Sequence, residues 1–140
     1  MDTSEQYIKM CEKAEEIQAL WEAPRKQDWC APRGVSHPDY FGVDIYNSFV
    51  FGTGPNIKEQ AIWLPRQDQL QEMVGYKGLP YLLTQAFERS VNGGATSYIW
   101  GNGKHFTSME QLWLAFVMGE RYHKVWNGIT WKKLDIDGRS

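Results

Sequence analysis

Along the N-terminal stretch, Tyr7, Met10, Ala14, Ile17 and Trp21 recur every three or four residues, the spacing of one helix face. Glu12, Glu15 and Glu16 fall largely off that stripe and read as solvated surface. The pattern predicts an amphipathic helix from Ser4 to Glu22, with Thr3 and Gln6 in capping-box spacing at its start and Pro24 at its end. From Ala23 to Gly42 the periodicity dissolves into APRKQDWCAPRGVSHPDYFG. Three prolines, and the echo of Ala23-Pro24-Arg25 in Ala31-Pro32-Arg33, mark a long loop. Loops of this length inside a compact domain tend to carry function, and Trp29, Tyr40 and Phe41 argue against plain disorder.

Two strands are predicted next, VDIYNSFVF and QAIWL, joined as a hairpin across GTGPNIKE. Val43, Ile45, Asn47, Phe49 and Phe51 share one side of the first run. The glycines of Gly52-Thr53-Gly54 do not make a phosphate cradle, because no helix start and no Lys in register follow them. Pro65 opens a short helix that turns Leu70, Met73 and Val74 inward, punctuated by Gly75 and Gly78. A second short helix runs from Tyr81 to Arg89 and stops before Asn92-Gly93-Gly94. TSYIW predicts a short strand, and GNGK turns the chain into the last helix, capped by Thr107 with Glu110 three residues later. KVWNGITWKKL closes the chain with Asn127-Gly128 between β-type residues, a strong hairpin signal. The sum is an α+β fold of about four helices with a small, mostly antiparallel sheet, organised as a single domain over residues 1–140.

The last helix carries an unbroken apolar run, Leu112 to Met118. At about 100° per residue, Met109, Leu112, Trp113 and Phe116 share one face, while Leu114, Met118, Tyr122 and Val125 lie nearly opposite. A helix apolar all round is buried on both sides. One side packs on the sheet; the other meets a helix of the same chain or a second subunit. Leu114, Met118 and Tyr122 are therefore the candidate interface of a homo-oligomer.

Composition narrows the chemistry. A formal net charge of −2 over 140 residues excludes the global basic field that drives non-specific nucleic-acid binding. The N-terminus MDTSEQYIKM has neither the basic nor the apolar region of a signal peptide, and the longest apolar run falls far short of the roughly 18 residues that span a bilayer. A cytoplasmic protein with no membrane partner is expected. Cys11 and Cys30 are too few for a disulfide framework and lack metal-ligand spacing, so both read as inert thiols. His37, His105 and His123 form no metal motif, and Asp135-Ile136-Asp137-Gly138 starts like a calcium loop but lacks its terminal Glu. His105, Thr107 and Ser108 lie close in sequence, yet no orienting acid or oxyanion hole is signalled, and capping accounts for the hydroxyls. No catalytic residue, metal or cofactor is expected.

What remains is a vocabulary for binding. Arg25, Lys26 and Arg33 share the long loop with Trp29, Tyr40 and Phe41, and Arg66 follows Trp63 and Pro65. Guanidinium forks suit phosphate oxygens, and aromatic faces stack on bases. Arg25, Trp29, Arg33, Trp63 and Arg66 are the candidate ligand-binding residues; the alternative, that the aromatics are core and the arginines solvated, stays open.

IWLPRQDQLQEM (62–73), FTSMEQLWLAFVM (106–118) and KVWNGITW (124–131) resemble a family of small uncharacterised proteins of phages and prophages of Gram-positive bacteria. The resemblance covers much of residues 60 to 131 and leaves out the long loop and the FGTGPN stretch. It supplies no catalytic or binding residues and implies a setting: accessory proteins that counter host defence by sequestering a nucleotide signal or plugging a host protein. The expectation is a non-enzymatic binder of a nucleotide immune signal. The alternatives are a protein–protein inhibitor of a host nuclease or CRISPR effector, and an enzyme cleaving such a signal.

Overall fold

The computed structural model describes residues 1–21, 28–32, 44–45, 61–75, 79–92 and 99–134. These residues build an α+β fold with two small antiparallel sheets and five α-helices. The chain divides into two compact units, Met1–Arg66 and Gln67–Ser140. Among the described residues no helix is long and apolar enough to cross a membrane.

In the first unit, α1 spans Glu5–Lys13 and α2 spans Glu15–Gln18. Ser4, one residue after the expected Thr3, is the N-cap, its hydroxyl accepting the Tyr7 N–H at 3.2 Å. The expected single helix is broken at Ala14 (φ −87°, ψ 73°). Ala is the best helix former, so local preference is not the cause. In an unbroken helix the Cys11 carbonyl would accept from the N–H four residues on; here it accepts from the Ala14 N–H and from the Gln18 side chain. The stripe read from sequence holds across the break, with Tyr7, Met10, Cys11, Ala14, Ile17 and Trp21 all buried.

Three strands form the first sheet: β1 (Trp29–Pro32), β2 (Asp44–Ile45) and β3 (Ala61–Leu64), in the order β2-β1-β3. This corrects the sequence reading twice. Part of the expected loop is the central strand, with Cys30 opposite both Asp44 and Trp63. And the described residues of the two expected hairpin strands pair with β1, not with each other. All four residues of β3 are buried, and α1 packs against it. The Tyr7 hydroxyl donates to the Pro65 carbonyl, tying the helix to the end of the strand.

In the second unit, α3 (Gln67–Glu72) buries Leu70, and α4 covers Pro80–Asn92. Ile99 and a 3₁₀ turn, Trp100–Gly103, stand where the end of the TSYIW strand was expected. The last helix, α5 (Met109–Tyr122), packs against α3, α4 and the strand that follows it. Phe87 of α4 stacks on Trp113 at 4.1 Å, and Phe116 meets both rings edge-on. The α5 cap is Ser108, not Thr107: the Ser108 hydroxyl accepts the Gln111 N–H at 3.1 Å. Gln111, fully buried, accepts from the Thr107 N–H and donates to the Thr107 hydroxyl, so Gln111 takes the part assigned to Glu110.

β4 (Lys124–Trp126) and β5 (Trp131–Lys133) form the expected terminal hairpin, with Trp126 opposite Trp131. The Asn127 side chain accepts the N–H groups of Ile129 and Thr130 at 2.9 and 2.8 Å, an Asx turn that fixes the loop. Gly128 sits at φ 97°, a conformation that favours glycine, and a Cβ there would lie 3.2 Å from the Trp100 ring, a tight contact.

Candidate functional site

Asp28, the residue before β1, is 2% exposed and organises the polar centre of the first unit. Its Oδ2 accepts the Trp21 indole N–H at 3.0 Å, and its Oδ1 lies 3.7 Å from a terminal nitrogen of Arg66. Trp21 also lies parallel to Trp63, with ring centroids 6.2 Å apart and planes 6° off parallel. A buried carboxylate left without partners would be strongly destabilising; the indole and the guanidinium supply them. The ion pair is asymmetric: the Arg66 side chain keeps 29% exposure while that of Asp28 keeps 3%. Arg66 is thus paired with a buried carboxylate at ion-pair distance and open to solvent in part.

Of the five expected ligand-binding residues, Arg25 and Arg33 lie outside the described residues. Arg66 and Trp63 belong to the Asp28 cluster, but in different roles. Trp63 is only 5% exposed and packed against Trp21, so the expectation of a stacking surface there is corrected: the ring is core. Trp29 is half-buried on β1 opposite Leu64, while Cys30 lies opposite Trp63. Strand alternation therefore puts Trp29 and Trp63 on opposite faces of the sheet. Pro32, the residue before Arg33 in the chain, lies at the other end of β1 from Asp28, about 13 Å away at the rise of an extended strand.

The expected subunit interface also changes. Leu114 and Met118 are fully buried within the chain, so the second face of α5 is core and not an open seam. Tyr122 is half-buried, with the Arg121 guanidinium 5.4 Å from its ring centre. Two short helices, α3 and α4, pack on α5 along with β4.

Elsewhere, the two hydroxyls near His105 are engaged in capping, and His105 stacks on Trp100 at 4.1 Å. Burial pushes the Cys11 thiol well above its ordinary pKa, only partly countered by a hydrogen bond with Tyr7, and the Asp2 charge raises it further. Among the described residues no group of three or more His, Cys, Asp or Glu is placed to hold a metal ion. Chemically, the part-exposed Arg66 guanidinium is the group of this cluster that could meet an anion.

Sequence reasoning missed Asp28, Trp21 and Gln18. Trp21 was assigned to the helix stripe and Gln18 to no role. Asp28 stood inside a stretch read as loop, because WCAP is too short for a strand period to register. Compared with known proteins, the chain matches no family model, no curated protein and no solved structure.

Proposed function

We propose that this chain is a non-catalytic binding protein of the phage accessory type. It acts in the host cytoplasm and sequesters a phosphate-bearing, nucleotide-type signal. The observation that carries the reading is Arg66, half-exposed and held in place by the buried carboxylate of Asp28. A guanidinium fixed before the ligand arrives loses less side-chain entropy on binding, and its planar fork matches phosphate oxygens. Trp29, half-buried on β1, is the remaining described aromatic of the expected set.

A second reading, a protein–protein inhibitor of a host defence factor, draws on α4. Tyr81 is 62% exposed, Leu79 before the helix is exposed, and Leu82, Leu83 and Phe87 are only half-buried. Apolar side chains grouped in this way mark surfaces that meet other proteins.

Titration of a cyclic dinucleotide and a linear dinucleotide into the protein, followed by denaturation and recovery, separates the readings. A sponge binds and returns the nucleotide chemically intact. An enzyme returns it cleaved, and a protein inhibitor binds neither probe.

A further inference from the structure

The chain holds three Asn-Gly pairs, Asn92-Gly93, Asn102-Gly103 and Asn127-Gly128, and the fold places them differently. In such a pair the glycine nitrogen can attack the side-chain carbonyl carbon of the asparagine, because no side chain crowds that nitrogen. Helical backbone works against the attack, since its Cα–Cβ bonds tilt toward the N-terminus, away from the following nitrogen. Asn92 is the last residue of α4, and Asn102 lies in the 3₁₀ turn Trp100–Gly103. Asn127 instead follows β4 and is exposed in the loop of the terminal hairpin. Its side-chain oxygen already accepts the backbone N–H groups of Ile129 at 2.9 Å and Thr130 at 2.8 Å. Its own N–H donates to the Thr130 carbonyl, whereas nothing among the described residues accepts the N–H of the half-buried Gly128.

We propose that Asn127 is a site of spontaneous deamidation, singled out from the three pairs by the hairpin loop. Hydroxide takes the Gly128 N–H proton, and the freed nitrogen bonds to Asn127 Cγ. Negative charge then develops on Oδ1, where the Ile129 and Thr130 N–H groups already point, the arrangement that stabilises an oxyanion. The tetrahedral carbon expels the side-chain nitrogen, which takes a proton from water and leaves as ammonia, so a cyclic succinimide remains and hydroxide is regenerated. Water opens this ring. Cleavage of the nitrogen–Cγ bond gives aspartate on the normal backbone; cleavage on the other side of the nitrogen gives the isoaspartyl linkage. In sum a water is consumed, an ammonia is released and the loop gains a negative charge. An aspartate at this position accepts the same two N–H groups in charge-assisted form, so the turn survives. The inference is independent of the ligand proposed for Arg66.

The test is peptide mapping by mass spectrometry on the folded protein held at mildly alkaline pH, beside the same protein unfolded in guanidinium chloride. In the folded protein Asn127 should convert ahead of Asn92 and Asn102, and unfolding should remove that order. The ratio of folded to unfolded rate should exceed one for Asn127 and fall below one for the other two. Conversion of Asn92 or Asn102 ahead of Asn127 in the folded protein overturns the proposal. So does an Asn127 that converts more slowly in the folded protein than in the unfolded chain. Asn127→Asp, the hydrolysed product, should melt with the parent; a lower melting temperature overturns the claim that the turn outlasts the reaction.

Discussion

Ser108, Thr107 and Gln111 show how far a local motif can be read at the scale of single residues. Thr107 and Glu110 satisfy the capping-box spacing, and so do Ser108 and Gln111 one position later. Sequence spacing does not choose between the registers. Burial of the Gln111 amide does, since a buried amide must find partners and the Thr107 N–H and hydroxyl provide them. Ser108→Ala should therefore cost about 1 kcal/mol in chemical denaturation, and an unchanged midpoint would return the cap to Thr107. Cys11 gives a pH dependence with a defined sign. Its folded pKa is raised, so as pH climbs past the ordinary thiol value the unfolded chain loses a proton that the folded chain keeps. Folding stability from this group should be level at neutral pH and decline above it into the alkaline range. Cys11→Ser or Cys11→Ala, compared with the parent across that range, should remove this part of the slope. Labelling by a thiol reagent at neutral pH should reach Cys11 only on unfolding.

Elements were legible where their pattern was long or their turn chemistry specific. α5 and the Asn127 hairpin answer to those conditions, and the structure contains both. β1 did not, because Trp29–Pro32 is a four-residue strand ending in proline, set among other prolines. Its partners along the sheet, β2 and β3, define it more than its own residues do. The Ala14 break was invisible because no helix-breaking residue marks it; it goes with the long-range bonds of Gln18 to the Cys11 and Trp63 carbonyls, which sequence spacing does not show. The end of α5 offers a test at this scale. His123 adopts the left-handed conformation (φ 54°, ψ 43°), and its N–H bonds the carbonyls of Gly119 and Met118. Side chains other than glycine are strained there by roughly 1–2 kcal/mol, so His123→Gly should raise stability by about 1 kcal/mol in chemical denaturation. A loss of stability instead would mean that the His123 side chain contributes more to the fold than its backbone strain costs.

For the molecule as a whole, the account rests on what is core and what is available. Leu114 and Met118 belong to the core, so Met118→Ala should cost about 2–5 kcal/mol. Met118→Glu should misfold instead of yielding a soluble, less associated protein; a well-folded Glu variant of reduced mass would restore the subunit seam. The candidate site was legible only in part, since Arg66 was found from its chemistry but Asp28, which orients it, depends on a strand that the sequence did not reveal. The central claim is that Arg66 is the phosphate anchor, and the most direct measurement is calorimetric titration of a cyclic dinucleotide into wild type and Arg66→Lys. Lysine keeps a positive charge for Asp28 but loses the planar fork, so the melting temperature should hold while affinity falls by roughly ten- to a hundredfold. Equal affinity in the two proteins, or no binding by the wild type, would contradict the account.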